Sequence, residues 1–480
     1  MTDGIFMTVL GTAFLIAWDA VFVAWVLLRP HRLQDSSLAW IFLIILLPIA
    51  GGIAFLLFGQ VWMPGDRARR HGEIVTRVRG HPSVVGRAPP VTLDSPEGRG
   101  VAALAERGGD MPVRGGNAMK LFAVTEEAID AMVADIDASR ESCHLLFYIY
   151  LPDSTGEQVA QALIGAAGRG VTCRLLVDSL GSRAFLKSGL CATLRESGVA
   201  VLEALPTRFK LLRRGRVDIR NHRKIAVIDG AVGWTGSQNI ADAAFAPKAK
   251  YAPWVDCMLR IGGPLVRDLQ ELFVEDWYMD SEESLETYLD AIPDPVPEGL
   301  RAQLMPSGAN SQNDLLVQVI QAGIQVAREE VILTTPYFVP DAGTLSALQA
   351  AAARGVRVQL VLPRRNDSPM IAAASRSYYD PLLEAGVEIF EFTGGLLHSK
   401  TITFDRTASL VGTANLDRRS FEINFELSVL IFDDDFSSQV RALQRAYMDE
   451  AIGVDLAEFR ARPMGHRIVE NACALMSPVL

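Results

Sequence analysis

The sequence predicts an α/β protein in which two tandem α/β sandwich domains pack face to face and follow two N-terminal transmembrane helices. Three observations lead to this prediction: two long apolar segments near the N-terminus, an alternation of strand-like and helix-like patterns, and an internal repeat. The 480 residues are too many for one ordinary hydrophobic core. Alternating strands and helices are typical of layered α/β domains with a largely buried sheet.

The N-terminal segment, residues 1–62, is predicted to cross the membrane twice. Residues 5–28 are interrupted by a single charge, Asp19, and residues 37–61 carry none. Each segment is long enough to cross a hydrocarbon core of roughly 30 Å at about 1.5 Å per helical residue. A cleaved signal peptide fits poorly, because the opening MTDG places an acidic residue where a basic one belongs.

The second apolar segment contains Pro48, which leaves a re-entrant hairpin as an alternative to a full crossing. Residues 63–113 follow it. They are rich in glycine, proline and arginine without sustained periodicity, and they are predicted to form a linker. Five arginines between residues 67 and 79 favour the cytoplasmic side of the membrane for everything downstream.

The remainder of the chain is a tandem duplication whose landmarks occur in the same order in both halves. SRESCHLLFYIYLPD (139–153) matches AREEVILTTPYFVPD (327–341), and ESGVAVLEAL (196–205) matches EAGVEIFEFT (384–393). The predicted boundaries are 114–295 for the first domain, 296–462 for the second and 463–480 for an amphipathic tail.

The strongest functional signal is an HxKxxxxD pattern that occurs once in each half and is followed by a Gly-Ser-x-Asn or Gly-Thr-x-Asn turn. Alternation of side chains along a strand places the His and the Lys on one face. The predicted catalytic residues are His222, Lys224, Asp229, His398, Lys400 and Asp405. The predicted substrate-binding residues are Ser237, Asn239, Thr413 and Asn415.

Brought together, these side chains suit the transfer of a phosphodiester. One imidazole can attack phosphorus and the other can protonate the leaving oxygen, while ammonium, hydroxyl and amide groups hold the non-bridging oxygens. A nucleophilic His is usually oriented by a carboxylate on its other ring nitrogen. Asp256 and Glu426 are the candidates, and a structural salt bridge is an equal alternative for each. The sequence predicts no metal site and no cofactor, so activity should survive chelation of divalent ions.

The duplicated motif resembles that of the phospholipase D superfamily. The apolar N-terminus together with FYIYLPD (147–153), GPLVRDLQELFVEDW (263–277) and HRIVENACALMSPVL (466–480) is similar to bacterial cardiolipin synthases over nearly the whole chain. This resemblance implies phospholipase D-like domains and a membrane phosphatidyltransferase that joins two phosphatidylglycerols into cardiolipin and releases glycerol. It also implies a multi-pass protein of the bacterial inner membrane that contacts anionic lipids.

The same resemblance implies roles for the motif residues. One of His222 and His398 forms a phosphatidyl-histidine, and the other acts first as an acid and then as a base. We favour His222 as the nucleophile. Asp229 and Asp405 complete the motifs and are expected to act structurally more than in proton transfer. The paired lysines and asparagines are expected to bind phosphate.

Two other functions remain open from the sequence. One is a phospholipase D or transphosphatidylase that uses water or another alcohol. The other is a membrane-tethered nuclease, since residues 208–224 carry eight basic side chains and one acid. The net charge of −10 counts against nucleic acid. We instead predict that the basic insertion at 208–220 lies at the rim of the site and gathers anionic lipid.

Overall fold

The computed structural model shows a mixed α/β fold and describes residues 2–28, 34–59, 65–82, 91–206, 218–308 and 314–475. Most of the basic insertion predicted at 208–220 lies outside the described residues, and so does the end of the predicted C-terminal tail.

The N-terminal part of the chain is helical, with α1 (Thr2–Leu28), α2 (Gln34–Leu46), α3 (Pro48–Phe58), α4 (Gly65–Arg79) and α5 (Pro96–Gly109). Within the described residues, one helix is long and apolar enough to cross a membrane, over Phe6–Leu28 of α1. The second predicted span is divided at Leu47, whose backbone leaves the helical region immediately before Pro48. Proline is accepted in the first turn of a helix but not in its interior, so a new helix begins there.

The first half of the repeat alternates strands and helices. Its elements are β1 (Arg114–Phe122), α6 (Thr125–Ala138), β2 (Ser142–Phe147), α7 (Ser154–Gly168), β3 (Thr172–Asp178), α8 (Arg183–Leu186), α9 (Gly189–Glu196), β4 (Ala200–Ala204), β5 (Lys224–Ile228), β6 (Val232–Gly236), β7 (Trp254–Val255), β8 (Met258–Gly262) and α10 (Leu265–Asp280). Short 3-10 helices cover Ala246–Tyr251 and Glu286–Leu289.

The second half repeats this alternation. Its elements are β9 (Leu300–Ser307), α11 (Leu315–Val326), β10 (Glu330–Thr334), α12 (Ala342–Ala353), β11 (Arg357–Pro363), α13 (Pro369–Ser377), α14 (Tyr379–Glu384), β12 (Glu388–Phe392), β13 (Leu396–Leu397), β14 (Thr401–Phe404), β15 (Ala408–Gly412), α15 (Arg418–Glu422), β16 (Glu426–Phe432), α16 (Asp434–Asp449), β17 (Ala451–Gly453), α17 (Leu456–Arg460) and α18 (Met464–Leu475).

A 15-stranded sheet joins the two halves in the order β17-β12-β11-β10-β14-β15-β16-β9-β1-β8-β6-β5-β2-β3-β4. Read outward from the central β9–β1 pair, the strands of the second half repeat the order of the first. The two half-sheets therefore meet edge to edge, which corrects the predicted face-to-face packing. Each half would otherwise present β1 or β9 as an unpaired edge, and pairing the two edges satisfies the backbone groups of both.

Helix α10 lies at the centre of the molecule. Its residues from Leu265 to Met279 are all buried, and its apolar side chains pack against strands of both halves. The charges that it buries have partners, as when Arg114 Nε donates to Asp268 Oδ2 at 2.9 Å. A helix that is buried on every side must satisfy its polar groups in this way.

The predicted linker over 63–113 is largely helical, and α4 docks on α10. Arg67 pairs with Asp280 at 2.9 Å, and Arg79 lies 3.4 Å from Glu275. The prediction of a loose linker was wrong because these basic residues find their partners about two hundred positions away, where no local periodicity shows them. The chain after the apolar segments is thus tied to the first half of the repeat.

Candidate active site

Two short backbone pairings between the halves bring the repeated motifs together. In one, His222 N–H donates to Phe425 O at 2.9 Å, and Phe425 N–H donates to Arg220 O at 2.9 Å. In the other, β7 runs parallel to β13, and His398 N–H donates to Val255 O at 2.8 Å. Each histidine therefore lies beside the residue that precedes a carboxylate of the opposite half.

Each imidazole is paired with a buried carboxylate from the other half of the chain. His222 Nδ1 lies 2.7 Å from Glu426 Oε2, and His398 Nδ1 lies 2.6 Å from Asp256 Oδ1. A carboxylate at Nδ1 favours the tautomer that carries its hydrogen there and directs the Nε2 lone pair toward a substrate. Both carboxylates were singled out from the sequence, and the structure adds that the halves exchange them.

The two lysines are buried on the same strand faces as the histidines. Lys224 Nζ donates to His222 O at 2.7 Å, and Lys400 Nζ donates to His398 O at 2.5 Å. An ammonium group has three N–H donors, and these contacts use one of them. The arrangement places two more cationic donors around the point where the two imidazoles converge.

Burial sets the protonation of these basic groups. It lowers the pKa of His222 to about 4, against the attraction of Glu426. It also lowers the pKa of Lys224 to about 7 and that of Lys400 to about 8. The pKa of His398 is lowered by the same loss of water. Both imidazoles are therefore neutral near pH 7, as a nitrogen nucleophile must be.

The paired carboxylates remain charged. Burial would raise the pKa of Asp256, but the attraction of His398 and Lys400 overcomes it and lowers the pKa to about 2. Burial also opposes ionisation of Glu426, and His222 overcomes it to lower the pKa of that carboxylate. Each buried carboxylate is thus ionised and accepts a hydrogen bond from the Nδ1–H of its imidazole.

We expect kcat/KM to follow a bell-shaped curve with pH. The acidic limb should rise through about pH 4, because only neutral His222 attacks. The alkaline limb should begin to fall below about pH 6.5, the ordinary pKa of an imidazole, because the pKa of His398 is lowered and this residue must donate a proton to the leaving oxygen. It should fall further between about pH 7 and about pH 8, as Lys224 and Lys400 lose the charge that holds phosphate. In Lys224→Arg, whose guanidinium stays charged, this second fall in any residual activity should move to higher pH. An unmoved second fall would assign it to another group.

Ser237 and Thr413 hold the carboxylates in place. Ser237 Oγ donates to Asp256 Oδ1 at 2.5 Å and accepts from Cys257 N–H at 3.0 Å. Thr413 Oγ1 makes the equivalent bond to Glu426 Oε2. Each hydroxyl proton is used on a carboxylate that orients a histidine, so both side chains position these groups. Their predicted contact with substrate stays a prediction.

The two motif asparagines lie at the edge of the site, each 5% exposed. Asn239 Oδ1 accepts from Ile149 N–H at 3.0 Å, so its amide nitrogen is the end available to a substrate oxygen. Asn415 is held through its backbone, which donates to Ser420 Oγ at 3.1 Å. These positions are compatible with the predicted phosphate contacts, which stay a prediction.

The aspartates of the two motifs lie far from the histidines. A strand advances about 3.3 Å per residue, which places Asp229 roughly 20 Å along the strand from His222. Its carboxylate accepts three backbone N–H groups of residues 140–142, at 2.8 to 2.9 Å. Asp405 does the same for residues 328–330. Both have positive φ angles, 51° and 52°. In the structure both aspartates hold a loop against the end of a strand, and we propose that this structural role is their contribution.

We expect Asp229→Asn to weaken the fold and to spare the chemistry. Asparagine tolerates a positive φ but loses the charge that binds three N–H groups, at a cost of about 1–3 kcal/mol. Thermal unfolding of the purified protein should therefore shift to lower temperature, while kcat of the folded fraction stays within about twofold of the original. A collapse of kcat at an unchanged unfolding temperature would contradict the structural role.

Aromatic rings cover both imidazoles. The Tyr148 ring lies 4.8 Å from that of His222 and the Trp254 ring lies 4.6 Å from that of His398, between ring centres. Trp254 is buried against the active-site histidine. Tyr148 was missed. Its position directly after β2, which pairs with β5, is the signal that could have found it.

Arg223 was also missed, because it was grouped with the basic insertion. Its Nη1 donates to Asp276 Oδ2 at 2.9 Å, and its Nε donates to the backbone oxygen of Glu426 at 3.1 Å. Since it lies between His222 and Lys224, its side chain points to the other face of the strand. It ties α10 to the residue that orients His222.

The fold and the site together define a phosphodiester-transfer enzyme of the phospholipase D type, with one His-Lys pair from each half of a duplicated α/β chain. The family described as "Cardiolipin synthase, PLD-like domain" matches residues 132–277 and 320–446, and "Phospholipase_D-nuclease N-terminal" matches residues 16–60. The chain belongs to the cardiolipin synthase family of phospholipase D-like phosphatidyltransferases.

Similar proteins agree with this assignment. Cardiolipin synthase A of Edwardsiella ictaluri is 34% identical, over 97% of this chain and 99% of its own length. Cardiolipin synthase A of Yersinia pseudotuberculosis is 37% identical over the same shares. The phosphatidylserine synthase of Haemophilus influenzae aligns with a TM-score of 0.59 and 14% identity, over 79% of this chain and 100% of that one, which supports the fold alone.

Proposed function

We propose that the protein transfers a phosphatidyl group from one phosphatidylglycerol to another, forming cardiolipin and releasing glycerol. The observation that carries this proposal is the convergence of two buried imidazoles, each held at Nδ1 by a carboxylate of the opposite half, with two buried lysines beside them. In such a site a neutral imidazole nitrogen can bond to phosphorus and later leave it, so the attacking atom of the protein carries no charge.

In the first step, His222 Nε2 attacks the phosphorus of the donor lipid. The bond from phosphorus to the glycerol headgroup oxygen breaks, and His398 gives that oxygen a proton. Entry of an anionic phosphodiester between Lys224 and Lys400 offsets their repulsion of a protonated imidazole and raises the pKa of His398 in the complex. His398 therefore takes up a proton from water when the substrate binds, and this is the proton that it gives to the leaving oxygen. The product of the step is phosphatidyl-His222 and free glycerol.

In the second step, the roles of acid and base reverse. His398 removes the proton from a glycerol hydroxyl of the acceptor phosphatidylglycerol, and the resulting oxygen attacks phosphorus. The phosphorus–nitrogen bond breaks and neutral His222 is restored. Lys224, Lys400 and the amide nitrogen of Asn239 hold the non-bridging oxygens in both steps.

We further propose that residues 114–295 and 296–462 act as two tandem phospholipase D-like domains on the cytoplasmic side of the bacterial inner membrane. The protein is membrane-associated, and α1 has the length and composition of a spanning helix. The break before Pro48 favours a re-entrant hairpin of α2 and α3 over a second crossing, because each of the two helices is too short to span.

The test is the fate of labelled phosphatidylglycerol supplied in vesicles to the purified, reconstituted protein. Cardiolipin and glycerol should form in equal amounts, with added simple alcohols diverting little of the product. Phosphatidic acid as the main product would identify a hydrolase, and a phosphatidyl-alcohol as the main product would identify a transphosphatidylase with another acceptor. The matched blank is the protein with His222→Ala and His398→Ala, purified and reconstituted in the same way.

A further inference from the structure

Helix α18, near the C-terminus, turns its acidic residue inward and its apolar residues outward. Glu470 is 5% exposed, whereas Ile468, Val469 and Leu475 are 62, 56 and 80% exposed. A surface helix of a water-soluble domain does the reverse, since its apolar stripe faces the core. An outward apolar face of this kind marks a contact with a membrane or a partner.

This orientation is fixed by the structure beneath the helix. Arg376 Nε donates to Glu470 Oε1 at 3.2 Å, and Arg462 Nε donates to Glu470 Oε2 at 2.9 Å. The Arg462 guanidinium in turn lies 3.6 Å from the ring centre of Phe459. Rolling α18 to hide Ile468 would separate the buried Glu470 carboxylate from both of its arginine partners, which is costly. The apolar face is therefore held outward.

The helix lies at the same end of the sheet as the active site. Cys473 packs with Val339 and Ala374, and Val339 N–H donates to Leu416 O at 2.8 Å. Leu416 directly follows Asn415, so a single layer of residues separates α18 from the site. The parallel strands β10 and β11 point their carboxyl ends toward this layer, as the loops before α12 and α13 show.

We infer that α18 is a second membrane contact of this protein, lying in the interface of an anionic phospholipid bilayer beside the mouth of the active site. The bilayer is the occupant of choice because the chain already carries a spanning helix, and because the proposed substrate must reach the site from lipid. The exposed ionisable side chains of α18, His466 and Arg467, favour an anionic surface. The inference rests on the proposed function for this choice.

The decisive measurement is the depth of α18 in the bilayer. Full-length protein carrying Cys473→Ala and a fluorophore at Ile468→Cys is reconstituted in vesicles of phosphatidylglycerol and phosphatidylcholine with brominated acyl chains. The matched control carries the fluorophore at Ala353→Cys, which is exposed at the end of α12 just before β11, at the opposite end of the sheet. Bromine should quench the label at 468 several-fold more than the label at 353.

Equal quenching at the two positions would overturn the inference. A second result would also overturn it. If the label at 468 is shielded from water but not quenched by bromine, and if the shielding increases with protein concentration, a second copy of the chain covers this face. Neither result depends on turnover, so a failure of the proposed function leaves this test readable.

A kinetic measurement separates membrane contact from fold support. The double change Ile468→Gln and Val469→Gln keeps the Glu470 ion pairs and should leave thermal unfolding unchanged. On phosphatidylglycerol vesicles it should raise apparent KM on the order of tenfold, because two aliphatic side chains lose their apolar surroundings. On short-chain substrate dispersed in detergent, kcat and KM should stay the same. Equal losses on both substrates would overturn the inference.

Discussion

Replacing either His222 or His398 by alanine should lower cardiolipin formation by at least about 10³-fold. Each half of the chain supplies one imidazole, and neither imidazole can be both the nucleophile and the acid within one step. The measurement is the rate of cardiolipin release from labelled phosphatidylglycerol, compared between the two variants. His81→Ala, a change of a partly buried histidine just beyond α4, is the matched control and should keep full activity.

The two variants should differ in what they accumulate. We expect His398→Ala to form a slow, isolable phosphatidyl adduct on residue 222, because the nucleophile is intact while the base of the second step is missing. His222→Ala should form none. Mass spectrometry that finds the adduct on His398 would reverse the roles, and substantial turnover in either variant would rule out the two-histidine scheme.

Glu426→Gln and Asp256→Asn should each cost about 10²- to 10⁴-fold in kcat, as amides do when they replace the carboxylate behind a catalytic histidine. An amide offers the ring the wrong partner at Nδ1 and no longer stabilises the imidazolium. The effect should cross the repeat. Glu426→Gln, in the second half, should slow formation of the adduct on His222 in the first. Asp256→Asn, in the first half, should let that adduct accumulate.

Glu422→Gln is the matched control for these changes. Its carboxylate accepts from Arg418 Nε at 2.8 Å within α15, four residues before Glu426. It should therefore leave both steps unchanged. If the pattern is reversed, so that Asp256→Asn prevents adduct formation on His222 while Glu426→Gln lets the adduct accumulate, the carboxylates serve the histidines of their own halves, and the crossed arrangement does not operate during turnover.

The repeat and the site residues follow from the sequence because both depend on short-range patterns. Alternation along a strand places His222 and Lys224 on one face, and the second motif confirms the spacing. The exchange of Asp256 and Glu426 could not be predicted, because it depends on two backbone pairings between segments far apart in the chain. The hydrogen bond from the Ser237 hydroxyl to Asp256 could not be predicted either, because the sequence of a turn does not show which acceptor oxygen lies near the hydroxyl.

The errors in the fold have a common physical origin. Packing of α/β layers can join two halves through faces or through edges, and the pattern of apolar residues is the same in both cases. The register shift between Arg114 and Asn117 in the β1–β9 pair is a detail of that junction which no local signal carries. Helix α4 was likewise hidden, because its charges are satisfied by α10 and not by its own neighbours in sequence.

The exchanged carboxylates also impose an order on the making of the protein. His222 leaves the ribosome 204 residues ahead of Glu426, the group that holds its ring. Until that later stretch has emerged and folded, the first imidazole has no fixed tautomer and no partner acid. A nascent or prematurely terminated chain thus carries an incomplete centre and cannot cleave phospholipids.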